Sequence, residues 1–364
     1  MIKIDHLPGR TLNLNSEEYL FFSGTSYLGM GHQPAFRAAL NEGLDRYGTI
    51  FSASRNNNLQ LDIYEKTENY LAEWTGAEAA LTVTSGLLAG QLAVQSLPHQ
   101  RFIYAPSVHP AIWKNTPPRF RDNTPQYQFN NYEYFAQEIA YIVAQDNTPV
   151  VICCNAIDPL KCTVYDLSWI AQLPDNQDIT LVFDDSHAIG IVNTTSHSTK
   201  DGAGNFEKFR QLAKANVKII VIASLAKALG LPGGVILSDN ATIQSIRQNP
   251  LFVGASPIVP AYLYAFLNAQ QVYNEARNIL RKNIQLFKKL SESLLPHFKF
   301  LENYPVFYTD KNELYAFLLK HKTMISSFSY PQPTDPPITR IVLSALHTEG
   351  DVERLSEQLR VALG

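Results

Sequence analysis

Four short apolar runs constrain this chain more than any other feature: Ala79–Thr84, Val150–Cys154, Thr180–Phe183 and Lys218–Ala223. Each has the length of a strand and draws heavily on Val, Ile, Leu and Thr. The later three run almost unbroken rather than alternating with polar residues. That pattern suits strands covered on both faces, as in a parallel sheet. Helix-like stretches separate the runs. The first is followed by Ser85-Gly86 and the helical Leu87–Leu97, a strand, turn and helix in succession. Strands alternating with helices predict an α/β fold: a mostly parallel open sheet with helices on both faces. The ligand crevice of such a sheet opens at the carboxyl ends of its strands. Chemistry is therefore to be sought immediately behind the runs.

The flanking sequence fills in the organisation. Pro34–Tyr47 and Tyr64–Trp74 carry apolar residues at helical spacing, and Thr75-Gly76 stops the second. Between them Gly48–Leu61, with Ser52, Ser54, Arg55 and the triplet Asn56-Asn57-Asn58, has the composition of a loop. Beyond Pro260 the spacing predicts one long helix over Ala261–Leu294, then shorter α and β pieces and a last helix over Gly350–Leu363. This reads as a smaller α+β C-terminal domain. The expected division is an N-terminal segment 1–45, a large domain 46–250 and a small domain 251–364. Four prolines within Pro331–Pro337 predict an extended loop.

Composition excludes several functions. Thirty basic against 33 acidic residues leave a net charge of -3, too balanced to follow a nucleic-acid backbone. No run of about 18 apolar residues predicts a membrane span, and the first ten residues lack the apolar stretch of a signal peptide. The three cysteines match neither a disulfide framework nor zinc spacing, and no metal site is predicted. A cytoplasmic protein is expected.

Two clusters stand where chemistry is expected. Asp184-Asp185-Ser186-His187 follows the third run, and carboxylates at a buried strand end are costly unless paired or engaged by a ligand. Ser224-Leu225-Ala226-Lys227 follows the fourth, ahead of Gly230, Pro232, Gly233 and Gly234. A lysine behind an apolar strand can have its pKa lowered by burial, which makes its amine a nucleophile for carbonyl compounds. Taken singly, each residue has a plain structural reading. Lys227 could be a solvated loop lysine, Ser85-Gly86 a helix cap, His109 a surface histidine and Arg340 an ion-pair partner.

Together the aspartate-to-histidine motif, the serine-to-lysine motif and Arg340–Thr348 resemble the α-oxoamine synthase family of fold-type I pyridoxal-phosphate enzymes, a class II aminotransferase-like group. The likeness runs from about Glu17 to Leu363 and is nearest the 8-amino-7-oxononanoate synthase type. It implies pyridoxal 5'-phosphate bound covalently to Lys227 as an aldimine, with Lys227 also moving the proton at the substrate α-carbon. Asp184 would hold the pyridine nitrogen protonated, His187 would bond the phenolic oxygen and His109 would stack on the ring. Ser85, Gly86, Leu87 and Ser224 would bind the phosphate, helped by a helix N-terminus. Ser256, where the family has threonine, would reach the phosphate of a partner subunit, giving a homodimer with shared sites. Arg340 would grip the amino-acid carboxylate.

The implied reaction joins an amino acid to an acyl thioester, carried by CoA or an acyl carrier protein, with loss of carbon dioxide. In biotin biosynthesis the pair would be alanine and a pimeloyl thioester. The chain departs from the family on the substrate side. Ser26 replaces the asparagine before Tyr27-Leu28-Gly29 and is a candidate substrate contact. Leu59 and Tyr64 fall where the family has glycine and histidine. Asn155–Cys162 replaces an acidic, glycine-rich turn. The cofactor residues would serve an aminotransferase, or other chemistry at the α-carbon, equally well. A non-catalytic scaffold of the family remains a third reading.

Overall fold

The computed structural model describes residues 2–97, 101–114, 129, 131–192, 200–330 and 332–364. Its strands, in chain order, are β1 (Thr11–Leu14), β2 (Glu17–Phe22), β3 (Ala79–Val83), β4 (Arg101–Tyr104), β5 (Val150–Asn155), β6 (Ile179–Asp184), β7 (Val217–Ser224), β8 (Gly234–Ser238), β9 (Lys299–Phe300), β10 (Val306–Thr309), β11 (Thr323–Ser329) and β12 (Pro337–Val342). The four apolar runs are β3, β5, β6 and β7. They form one sheet in the order β3-β8-β7-β6-β5-β4. Strands β4 to β7 pair in parallel, and β8 runs antiparallel to β7 and β3, so the sheet is mostly parallel as predicted.

Every residue of β5 and β6 is buried, which is why the runs do not alternate with polar residues. Their side chains nevertheless divide between two faces. Val151, Cys153, Val182, Ile220 and Ile222 meet the helix Gly86–Gln95 on one side. Ile152, Cys154, Leu181, Phe183 and Val221 pack with Phe135, Phe206 and Phe209 from other helices on the opposite side. Strands β4 and β8 were not anticipated: Arg-Phe-Ile-Tyr is short, and Gly-Val-Ile-Leu-Ser emerges directly from the glycine-rich stretch.

The remaining strands form a second sheet, β1-β2-β11-β12-β10-β9. Its first two strands come from the N-terminus, with β2 lying parallel to β11. The helices Pro34–Tyr47 and Glu349–Leu363 match their predicted extents closely, and Thr348 with Asp351 makes a reciprocal cap at the start of the latter. The predicted long helix is interrupted. Helices Pro260–Asn268 and Gln270–Leu290 meet at Ala269, whose backbone leaves helical geometry. There Asn268 Nδ2 and Gln270 Nε2 donate to the Tyr264 and Phe266 carbonyls. In the predicted proline loop, Gln332–Asp335 close a turn and Pro337 opens β12. Pro331 lies outside the described residues.

His347, in the Arg340–Thr348 motif, holds the N-terminal strands to this second sheet. Its Nδ1 accepts the Ser344 N–H at 3.0 Å, its Nε2 lies 3.0 Å from the Phe21 carbonyl, and its ring stacks on Phe22. Burial pushes its pKa down to about 4. The folded chain therefore disfavours the protonated ring. Above the ordinary histidine pKa both folded and unfolded states are neutral, and stability is lost as pH falls from there toward about 4. The loss at this residue should approach about 3 kcal/mol, and chemical denaturation at about pH 7 and pH 4 should show a smaller difference in His347→Gln.

Candidate active site

Parallel pairing brings the carboxyl ends of β4 to β7 to one edge, and the predicted residues gather there. Asn155 pairs with Asp184 across β5 and β6, while Ser224 ends β7 opposite Gly234 of β8. Asp184 is buried, with one carboxylate oxygen accepting the Ser186 N–H at 2.9 Å. Ser186 Oγ in turn accepts the Ser224 N–H at 2.7 Å, which locks the two motifs together. The neighbouring Asp185 serves the fold. It accepts the backbone N–H and side-chain amide of Asn205, and burial pushes its carboxyl up to about 7.

His109 leads a short helical turn, with Nδ1 accepting the Ala111 N–H and lying 3.7 Å from Asp184. Desolvation lowers its pKa, against the raising influence of the Asp184 charge. Lys227 is partly buried, which lowers the pKa of its ammonium; Asp184 opposes this and Arg340 adds to it. Desolvation also drives His187 well below its ordinary pKa, reinforced by Lys227, Arg340 and His109. Lys227, Asp184, His187, His109 and Arg340 thus share one electrostatic neighbourhood.

Ser85 caps the helix Gly86–Gln95 by accepting the Leu88 N–H, so the Gly86 and Leu87 N–H groups begin the helix without intrahelical acceptors. A Cβ at Gly86 would lie 2.6 Å from Ser224 Cβ, and one at Gly234 would lie 2.3 Å from the Ser85 carbonyl. Glycine at both positions lets this helix start touch the end of β7. Such a cradle of free amides beside a hydroxyl fits a phosphate.

Arg340 reaches the site from β12. Its Nη1 donates to the Pro159 carbonyl, its guanidinium lies over Phe328, and its buried Nε has no protein acceptor among the described residues. Pro159 belongs to a turn that Asp158 organises by accepting the N–H groups of Leu160, Lys161 and Thr163. This is what stands in place of the acidic, glycine-rich turn.

Two predicted residues remain apart. Ser26 is exposed, and its carbonyl, rather than its hydroxyl, is engaged by Ser344. Ser256 is exposed beside a concavity that it lines with Ser52 and Ser54. Leu59 is exposed, and Tyr64 is buried with its hydroxyl donating to the Ile258 carbonyl. Sequence reasoning passed over Asn155 as a positioning residue. Its side chain accepts the His109 N–H and donates to the Ser107 carbonyl. A lone amide at the end of an otherwise apolar strand was the available signal. It also passed over Tyr27, whose hydroxyl lies 2.9 Å from His187 Nδ1.

Comparison with known proteins places the chain in a family. The family model "Aminotransferase class I and II" matches residues 10–359, and the chain belongs to that family. Within it the chain is a pyridoxal-phosphate-dependent transferase of the α-oxoamine synthase type. A protein named 8-amino-7-oxononanoate synthase from Erwinia tasmaniensis is 25% identical, over 98% of this chain and 92% of that protein. Another of that name from Buchnera aphidicola is 26% identical, over 96% and 90%. Among solved structures, serine palmitoyltransferase from Sphingomonas wittichii superposes with a TM-score of 0.76 at 18% identity, covering 98% of this chain and 90% of the other. The 8-amino-7-oxononanoate synthase from Francisella tularensis gives 0.68 at 19%, covering 94% and 98%. Such distant structures share the fold, the fold-type I architecture expected from the sequence. No helix among the described residues is long and apolar enough to cross a membrane.

Gly86→Ala tests the tight cradle. The added methyl must displace the Ser224 backbone or the helix start, and is expected to cost about 1–3 kcal/mol in chemical denaturation. Gly350→Ala is the control, since its Cβ would meet nothing within 4 Å.

Proposed function

We propose that this chain condenses an amino acid with an acyl thioester, with loss of carbon dioxide, using pyridoxal phosphate attached through Lys227. The observation that carries the proposal is the convergence of a partly buried lysine and a fixed buried carboxylate, at one edge of the parallel sheet, with a buried arginine from the second sheet whose Nε has no acceptor among the described residues. The residues present fit the cofactor. The Gly86 and Leu87 amides with Ser224 suit its phosphate, Asp184 suits a protonated pyridine nitrogen, His109 its ring face and His187 its phenolic oxygen. When bound, the cofactor supplies an electron sink for negative charge developing at the substrate α-carbon.

The side chains do the rest. Burial raises the neutral fraction of the Lys227 amine, which lets it act as nucleophile and then as base at the α-carbon. The Asp184 carboxylate, held by the Ser186 N–H, would keep a bound pyridine nitrogen protonated. Arg340, braced by the Pro159 carbonyl and Phe328, can bind a carboxylate and fix which α-bond is broken. Relatives named 8-amino-7-oxononanoate synthase support alanine and a pimeloyl thioester as the pair, and so a place in biotin synthesis. The exposed Ser256 supports a homodimer in which that hydroxyl completes the partner's phosphate site. Three buried free thiols, Cys153, Cys154 and Cys162, are compatible with the reducing cytoplasm. The division into 1–45, 46–250 and 251–364 is proposed with it, the first segment lending β1 and β2 to the second sheet.

Lys227→Ala is expected to abolish the borohydride-reducible linkage to pyridoxal phosphate while leaving circular dichroism unchanged; a linkage that persists would remove Lys227 from this role. With wild type, alanine and pimeloyl-CoA should release free thiol. Formation of an oxo acid without thiol would favour transamination instead. Arg340→Lys should raise KM for the amino acid about tenfold or more in steady-state kinetics, since it replaces a planar fork with a point charge.

A further inference from the structure

Beside the site three polar side chains stand in a row. Tyr304 Oη lies 3.1 Å from Tyr27 Oη, which lies 2.9 Å from His187 Nδ1. Both phenols are about 1% exposed. Desolvation raises the Tyr27 pKa to about 12 and that of Tyr304 well above its ordinary value, so each keeps its proton. His187 is held neutral and carries one N–H. Among the described residues the two hydroxyls have no other hydrogen-bond partners, and His187 Nε2 has none.

Counting protons leaves one satisfied arrangement. If His187 donated from Nδ1 to Tyr27, then Tyr27 would donate to Tyr304 and the buried Tyr304 O–H would have no acceptor. If His187 and Tyr304 both donated to Tyr27, the Tyr27 O–H would be stranded. Only Tyr304 donating to Tyr27, and Tyr27 to Nδ1, uses both phenol protons, and a buried donor left without an acceptor is penalised. The row is also well anchored. The Tyr27 carbonyl accepts the Ala345 N–H at 2.8 Å, and Tyr304 lies two residues before β10.

We infer that Tyr27, backed by Tyr304, is a positioning residue that holds His187 in its Nε2–H form and so makes the ring a hydrogen-bond donor to an oxygen bound beside Lys227. The identity of that oxygen, the cofactor's phenolic oxygen, rests on the proposed function. The form of the ring does not.

The test is 15N NMR of histidine-labelled full-length chain with and without pyridoxal phosphate, the His187 signals being assigned by their loss in His187→Gln. The wild-type ring should appear as the Nε2–H form with Nδ1 hydrogen-bonded. In Tyr27→Phe the Nδ1 resonance should move downfield and pyridoxal phosphate should be retained about five- to tenfold less tightly, the worth of one hydrogen bond. Tyr304→Phe should keep the Nε2–H form with a smaller shift, and serves if Tyr27→Phe does not fold. An Nδ1–H ring in wild type or in Tyr304→Phe would overturn the inference, as would a Tyr27→Phe spectrum unchanged at Nδ1. Failure of wild type to bind pyridoxal phosphate would overturn the proposed function, while the spectrum of the chain without added cofactor would still decide the inference.

Discussion

A carboxylate held at the buried end of a parallel strand is the constraint on which this architecture turns. Asp184 ends β6, between strands that also end at the same edge, and water is largely excluded from it. A charge in that position is tolerable only with donors or cations arranged around it. The Ser186 N–H and the ammonium of Lys227 supply that environment. The arrangement requires adjacent strands in fixed register, and the bond from the Ser224 N–H to Ser186 Oγ transmits that register from β6 to β7.

The second sheet completes what the first begins. Arg340 comes from β12, Tyr304 from the approach to β10 and Tyr27 from the segment after β2, so residues hundreds of positions apart face Lys227 and His187. His347 couples the N-terminal strands to the end of β12, which holds Tyr27 against the C-terminal part of the chain. The site therefore depends on two sheets being held together, and the polar contacts between them are short and directional.

Departures from the family pattern acquire a physical meaning in this setting. The turn at Asp158–Cys162 lacks the family glycines, yet Asp158 organises it through three backbone N–H groups and Pro159 presents its carbonyl to Arg340. Tyr64 is buried against Arg55 and the Ile258 carbonyl, an anchoring position rather than an open one. On the proposed function, the residues assigned to the cofactor follow the family pattern, and those assigned to the substrates depart from it.

Much of the first sheet was legible because burial on both faces demands continuous apolar runs, and those runs are visible without tertiary information. Strand β8 was not, because its five residues follow glycines that read equally well as loop. The break at Ala269 was hidden because the apolar spacing continues across it and only side-chain amides bonding to carbonyls mark it. Lys227, Asp184 and His187 could be picked out by their place behind the runs, and His109 only through the family resemblance. Asn155 and Tyr27 could not be assigned their contacts, since a hydrogen-bond partner 46 or 160 residues away leaves no local pattern. By itself the sequence determined the alternation of strand and helix, and with it the edge where chemistry gathers, because hydrophobic periodicity is local. Only the tertiary structure decided which polar atoms meet, how Arg340 is braced and which nitrogen of His187 is turned toward Tyr27, because those depend on distances between segments that chain order does not encode.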